Sequence, residues 1–162
     1  MNKIVKIEKA IKISQQLQKQ KKSIVLSGGC FDILHIGHIK FLENAKKEGD
    51  VLFVLLENDD SVKKLKGKNR PINNQENRAI VLSALRSVDF IIMLTKIMKN
   101  DDYDKLILQI QPKVIAATNP DPHIEHKKRQ AKIVNARVAY VTKKLYHQST
   151  TSISNLAKGE LL

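Results

Sequence analysis

The sequence predicts an α/β fold, a doubly wound parallel sheet of about five strands with an extra N-terminal helix. Two observations carry this. From residue 23 onward, short apolar runs alternate with amphipathic stretches of helical period, the signature of βαβ units. The first apolar run, Ile24-Val25-Leu26, leads straight into Gly28-Gly29. That is a strand, a tight turn and a helix start, where free backbone N–H groups and the positive helix end face one loop.

Residues 3–20 read as a helix with Ile4, Ile7, Ile11 and Leu17 near one face. It precedes the alternating region and is expected to pack on the same chain. Residues 23–27 form the first strand. A helix over 37–48 places His38, Phe41, Leu42 and Ala45 at i, i+3, i+4, i+7. The second strand, 51–57, is almost continuously apolar, as in a strand buried on both faces. A helix over 75–86 would turn Ile80, Val81, Ala84 and Leu85 inward, and residues 90–94 give a third strand. A helix over 101–110 carries Tyr103, Leu106, Ile107 and Ile110 on one stripe. Strands over 113–117 and 137–142 flank a weaker helix over 124–135, and a last helix starts near Thr150. The polar segment 63–70 reads as a mobile loop. The arrangement is Rossmann-like, and such sheets bind ligands beyond the carboxyl ends of their strands. The division expected is a single domain over 1–162, with 1–20 as a helical extension and 23–157 as the core.

Composition narrows the classes. A chain of 162 residues suits one domain with a sizeable core. One cysteine permits no internal disulfide and suits a reducing cytoplasm. No apolar run approaches the length of a membrane span, and the start lacks the apolar core of a signal peptide. Net charge is +13. It reads as a solvated lysine-rich exterior, with an acidic partner such as a nucleoside triphosphate or RNA as the sharper alternative. Aromatic residues make up only 4%, too few for a base-stacking platform, so nucleic acid is not the expected partner.

The stretch Gly28-Gly29-Cys30-Phe31-Asp32-Ile33-Leu34-His35-Ile36-Gly37-His38 carries the chemistry. Two imidazoles at i, i+3 on a helix start can converge on one point outside the N-terminus. Gly37 lets a ligand approach closely. This motif resembles that of the HxGH nucleotidyltransferase superfamily, which includes the cytidylyltransferases and adenylyltransferases of small phosphorylated metabolites. The resemblance covers residues 23 to about 157. It implies that His35 and His38 stabilise charge on the α-phosphate and the leaving pyrophosphate, with no covalent intermediate. Gly28, Gly29, Cys30, Phe31 and Gly37 then shape the nucleotide site. Cys30 reads as a small packed residue rather than a nucleophile, and Phe31 as core. Asp32 either orients the loop or sits near the metal, and it is assigned to the acceptor side.

Further matches extend the resemblance. Glu57-Asn58-Asp59-Asp60-Ser61 resembles the family's N-S-D-x-S, with Asp59 in the acidic role. Leu65-Lys66-Gly67-Lys68-Asn69-Arg70-Pro71, followed by Glu76-Asn77-Arg78, resembles the block of the heptose-1-phosphate adenylyltransferases. It implies Lys66 as catalytic, and Lys64 and Arg70 on the acceptor phosphate. Arg78, at a helix start where the dipole disfavours a cation, reads as holding the loop or an acidic partner. Lys46 is a candidate phosphate contact. Arg86, in R-x-V-D, is a candidate for the nucleotide or an intersubunit partner, and Asp89 reads as structural. Ser149-Thr150-Thr151 resembles the family's S-T-T-x-I, hydroxyls that cap a helix and donate to phosphate. Where the family has a glycine-rich acidic stretch, this chain reads Thr118-Asn119-Pro120-Asp121-Pro122-His123. Asp121 stands in for the family's aspartate.

The implied function is transfer of a nucleotidyl group from a nucleoside triphosphate, with ATP leading, to a phosphorylated acceptor such as a sugar 1-phosphate. Glycerol-3-phosphate cytidylyltransferase and FMN adenylyltransferase are the alternatives within the class. Outside it stand a nucleotide-binding regulator without turnover and a basic RNA-binding protein. Mg²⁺ is expected with the triphosphate to neutralise its charge, with no direct protein ligand assigned. The resemblance also implies a homodimer. The family's bifunctional form carries a sugar kinase as well, for which 162 residues leave no room.

Overall fold

Strand β2 (Ile24–Gly29) is the hinge of the topology. It pairs in parallel with β3 (Val51–Leu56) on one side and with β5 (Val114–Asn119) on the other. The structure, a computed structural model, describes residues 2–143. One parallel sheet runs in the order β1-β4-β3-β2-β5-β6, with β1 at Ile4–Val5, β4 at Phe90–Met93 and β6 at Arg137–Lys143. After β2 the chain winds outward through β3 to β4, then crosses back to β5 and β6. The strand order reverses between β2 and β5, the position at which sheets of this kind bind ligands. Ser149, Thr150, Thr151 and the expected last helix lie outside the described residues.

The sheet is covered on both faces because its strands alternate. Val25, Leu52, Val54, Leu56 and Ile91 face one core with Phe41, Leu42 and Ala45 of α2 (Ile36–Lys46) and Ala79 and Leu82 of α4 (Gln75–Ser83). Ile24, Leu26, Phe53, Leu55 and Ile92 face the other. There they meet Ala10 of α1 (Ile7–Lys19), Leu106, Ile107 and Ile110 of α5 (Asn100–Ile110), and Ala131 of α6 (Ile124–Ile133). Each large apolar side chain taken fully out of water contributes about 1.5–3 kcal/mol. β3 contributes on both faces at once, as its continuous apolar run requires.

Three sequence expectations are corrected. The N-terminal segment is not one helix. Ile4 and Val5 form a sixth, edge strand: they pair with Ile91 and Ile92, and the Ile91 N–H donates to the Lys3 carbonyl. β-Branched residues at a free sheet edge gain more from the ladder than from one further helical turn. α1 then turns Ala10 and Ser14 to the core rather than Ile11, and these small residues let it sit close to α5, where Gln18 donates to the Ile110 carbonyl at 3.2 Å.

The expected loop 63–70 is in part a helix, α3 (Asp59–Lys66). The Asn58 side chain caps its start by accepting from the Ser61 N–H at 2.9 Å. Gly67 ends it at φ 103, a conformation that side chains disfavour. In α4, Ile80 and Val81 are not inward: they are 60% and 51% exposed, while Arg78, Ala79 and Leu82 are buried. The helix is turned by Arg78, whose buried hydrogen bonds outweigh two exposed aliphatic side chains.

That rotation of α4 has a direct consequence for stability. Leu82→Ala should cost about 2–5 kcal/mol, whereas Ile80→Ala should stay within about 0.5 kcal/mol. Urea denaturation of the two variants checks this, and equal losses would place the inward face where the periodicity had put it.

Candidate active site

The chain turns sharply after β2. Phe31 adopts φ 45, a left-handed conformation uncommon for a bulky residue. Its ring is buried, and a Cβ on Gly29 would lie 3.0 Å from it, so glycine at 29 gives the ring its place. Strain of this kind persists only where the surroundings over-determine it. Here two side chains do so. Asp32 is 3% exposed; its carboxylate accepts from the backbone N–H of Ile72 and Asn73, each at 2.9 Å, and from Arg70 Nε at 2.5 Å. Burial alone would raise the Asp32 carboxyl, but these N–H donors and the guanidinium outweigh it and hold it below the ordinary carboxylate value. Arg78 is 1% exposed and donates to four oxygens. These are the carbonyls of Cys30 at 2.5 Å, Asn73 at 3.0 Å and Glu57 at 2.8 Å, and the Asp59 carboxylate at 2.7 Å. The turn, the end of β3, the start of α3 and the loop before α4 are thereby joined.

Helix α2 starts from this turn, and its N-terminus differs from those of the other described helices. Each of those has an acidic residue in its first turn; α2 has none. The positive end of its dipole is therefore unopposed by protein. His35 is the N-cap: its Nδ1 accepts from the Gly37 N–H at 3.1 Å, which leaves Nε2 as the donor of the neutral ring. The His35 and His38 rings stack with centroids 3.8 Å apart, and Phe31 sits 5.2 Å from His38. His38 Nδ1 is buried with no hydrogen-bond partner among the described residues. Burial first, and the neighbouring His35 second, push the His38 pKa down to about 4, against a smaller opposing effect of the Ile33 backbone. Burial lowers His35 as well. The pair is thus neutral at pH 7: His35 keeps Nε2–H as a donor beside a positive helix end, and His38 stacks against it.

The remaining sequence candidates divide by position. Cys30 lies in the turn, and burial raises its thiol, so it is no thiolate nucleophile. The charges of Lys66 and Arg70 reach Cys30, which puts both on the site side. Arg70 spends Nε on Asp32, and its backbone N–H donates to the Gly67 carbonyl at 3.1 Å. Asp59 starts α3, pairs with Arg78 through one oxygen and is half-exposed. Lys64 is exposed on α3 with no contact to the turn among the described residues.

Four assignments are corrected. Lys46 ends α2 and holds Asp89 at 2.6 Å, whose carboxylate accepts from the Leu52 N–H at the start of β3. It therefore lies at the amino ends of the strands, opposite the histidines, and cannot reach a nucleotide there. Asp89 is structural, as expected. Arg86 is exposed between α4 and β4 at that same far end, which removes its nucleotide role and leaves the intersubunit one as expected from sequence. Asp32 has both carboxylate oxygens engaged by its own chain, so it organises the loop rather than an acceptor. Asp121 accepts from the His123 N–H at 2.8 Å and pairs with Lys127 at 2.7 Å, so it builds the turn into α6. Two residues escaped the sequence reading, Glu57 and Tyr103. The Tyr103 hydroxyl, from α5, donates to Glu57 at the end of β3. A lone carboxylate closing an apolar strand was the available signal.

Comparison with known proteins follows the same lines. A family model described as cytidylyltransferase-like matches residues 26–155. Bifunctional protein HldE of Aliarcobacter butzleri (strain RM4018) is 47% identical over 108 residues, 67% of this chain and 22% of that protein. HldE of Haemophilus influenzae (strain PittEE) is 50% identical over 100 residues, 62% of this chain and 20% of that protein. The chain spans about a fifth of the length of these curated relatives. The solved lipopolysaccharide core biosynthesis protein from Thermoplasma volcanium GSS1 is 27% identical and matches with a TM-score of 0.59, covering 77% of this chain and 98% of that one. Pantoate-beta-alanine ligase from Francisella tularensis shares the fold alone, at 17% identity and a TM-score of 0.64, covering 96% of this chain and 76% of that one.

Neutral burial of His38 predicts a pH dependence. Its pKa is about 4 in the folded chain against an ordinary 6.5. Between these values the unfolded chain binds more protons, so this contribution to stability is full above the ordinary value and is lost as pH falls. The unfolding free energy should drop more from pH 7 to pH 5 in the wild type than in His38→Gln, measured by urea denaturation at both pH values. Equal drops would show that His38 is not held neutral.

Proposed function

The chain belongs to the cytidylyltransferase-like family, and on that premise we propose that it is a nucleotidyltransferase moving AMP from ATP to a sugar 1-phosphate. The observation that carries this is the neutral, stacked His35–His38 pair on a helix N-terminus free of acidic residues, at the point where the strand order reverses. A solved relative named for lipopolysaccharide core biosynthesis favours a sugar phosphate as acceptor. The likeness of the 65–78 block to heptose-1-phosphate adenylyltransferases favours ATP.

In the reaction, an oxygen of the acceptor phosphate attacks the α-phosphorus of ATP in line. The bond from that phosphorus to the bridging oxygen breaks, and pyrophosphate leaves with the electron pair. The chain contributes position and charge stabilisation. His35 Nε2–H is the donor offered to the phosphates, with His38 stacked against it and the positive end of α2 behind both. Polyphosphate charge next to the rings raises their pKa from the depressed values of the free protein. Lys66 and Arg70, across the turn, suit the acceptor phosphate. Among the described residues no group of three or more His, Cys, Asp or Glu side chains is placed to hold a metal. Mg²⁺ would come with the triphosphate and would neutralise part of its charge. Ser149, Thr150 and Thr151 remain candidates for the β- and γ-phosphates. No helix among the described residues is long and apolar enough to cross a membrane, and the single Cys30 suits a reducing cytoplasm.

Pyrophosphate release from ATP, Mg²⁺ and a heptose or mannose 1-phosphate is the test. His38→Ala and His35→Ala should each lower kcat by roughly a hundredfold or more, with the folded circular dichroism spectrum retained. Undiminished release in both variants would contradict the assignment, and release that needs no acceptor would make the protein a nucleotide hydrolase.

A further inference from the structure

The mechanism above leaves one buried charge unused. Glu57 follows the last residue of β3 and is 9% exposed. Its backbone is fixed at both ends: the N–H donates to the Gly29 carbonyl at 3.2 Å, and the carbonyl accepts from Arg78 at 2.8 Å. Its carboxylate therefore has a set position beside the catalytic turn, close enough that its charge acts on Cys30. The one side chain bonded to it is Tyr103, a neutral phenol. Among the described residues no Lys, Arg or His nitrogen comes within ion-pair distance. The nearby guanidinium of Arg78 spends its nitrogens on the Asn73, Cys30 and Glu57 carbonyls and on Asp59 instead.

A buried carboxylate without a cation is costly. The fold does not require it here, because a glutamine could accept the Tyr103 hydrogen bond equally well. The two carboxyl oxygens of Glu57 offer more acceptor positions than the one Tyr103 fills. Burial, and then the hydrogen bond to Glu57, push the Tyr103 hydroxyl far up, so it stays protonated and keeps donating. The remaining acceptor capacity lies at the carboxyl end of the sheet, where ligands bind. It suits hydroxyl donors and repels anions. Lys66 and Arg70 lie on the same side, where an acceptor phosphate suits them.

We propose that Glu57, positioned by Tyr103, is a specificity residue that binds the hydroxyls of the acceptor and selects a phosphorylated polyol carrying no second anionic group at its far end. This rests on the nucleotidyltransferase reading. The acceptor lies with its phosphate towards Lys66, Arg70 and the histidines and its hydroxyls on Glu57. A site built to hydrogen-bond a hydroxyl discriminates strongly against analogues that lack it, because its own buried group is then left unpaired.

The test compares wild type, Glu57→Gln and Tyr103→Phe as full chains, with mannose 1-phosphate, a heptose 1-phosphate and ethyl phosphate as acceptors and ATP–Mg²⁺ as donor. Thermal unfolding with and without ATP is read alongside. In the wild type, the sugar phosphates should be used well and ethyl phosphate poorly. Glu57→Gln should raise KM for the sugar phosphates by about 10–100-fold and erase their advantage over ethyl phosphate. KM for ATP and the ATP-induced rise in Tm should stay unchanged, and the ligand-free Tm should hold or rise because an unpaired charge is gone. Tyr103→Phe should shift the acceptor KM in the same direction by less. An acceptor KM within twofold of wild type in Glu57→Gln, with the ATP response intact, would overturn the role of Glu57 alone. A wild type that responds to ATP but uses neither sugar phosphate overturns it as well. Loss of any ATP response in the wild type would instead remove the nucleotidyltransferase reading beneath it.

Discussion

A buried arginine holds this site together. Arg78 enters the first turn of α4, where the helix dipole disfavours a cation, and is removed from water at 1% exposure. Both penalties are met by four acceptors drawn from three separate stretches of chain. A planar fork of five donors can do this and an ammonium cannot. The consequences extend well beyond α4. The Cys30 carbonyl is fixed, so the turn can hold Phe31 in its left-handed conformation. The Asn73 carbonyl is fixed, so the loop before α4 can present its N–H groups to Asp32. Asp59 is fixed, so α3 starts where it does.

From that clamp follows the electrostatic layout. The turn aims α2 so that its unopposed N-terminus and the two neutral imidazoles open at the switch point. Lys66 and Arg70 are brought to the same turn from the far side. Glu57, whose backbone is one of the four acceptors, has its carboxyl group bonded by the Tyr103 hydroxyl and by no cation among the described residues. A phosphate and a hydroxyl-bearing body therefore meet opposite kinds of surface a short distance apart. The asymmetry orients an acceptor before any chemistry occurs, which is where positioning catalysis draws its effect.

Much of this was legible in the chain itself. β2 through β6 are short apolar runs, and α2 and α5 carry clean i, i+3, i+4 stripes, so pattern alone placed them. The histidine motif was legible because its glycines, its strand and its spacing agree with one another. What escaped has physical reasons. β1 is two residues long, below the reach of periodicity. α3 has one buried aliphatic side chain, Val62, so its signal lay in the Asn58 cap and Gly67 rather than in a stripe. The face of α4 was misread because hydrophobicity was ranked above hydrogen bonding, and Arg78 reverses that ranking. Lys46 was placed near a phosphate by its charge and its helix, and Arg86 near the nucleotide by the R-x-V-D resemblance. A helix that leaves the carboxyl end of a strand finishes at the opposite end of the sheet, and that rule removes Lys46. Glu57 and Tyr103 are far apart in sequence, and only the fold brings them together.

Amide hydrogen exchange on Arg78→Lys bears most directly on the clamp. Lysine keeps the charge but cannot span four acceptors. Exchange should quicken at Ser61, Ile72 and Asn73, whose N–H groups lie in the segments Arg78 joins, while Leu26 and Val54 in the sheet keep their wild-type protection. Unchanged exchange at the three loop amides, or an equal loss of protection across the sheet, would show that Arg78 does not hold the site together as a local unit.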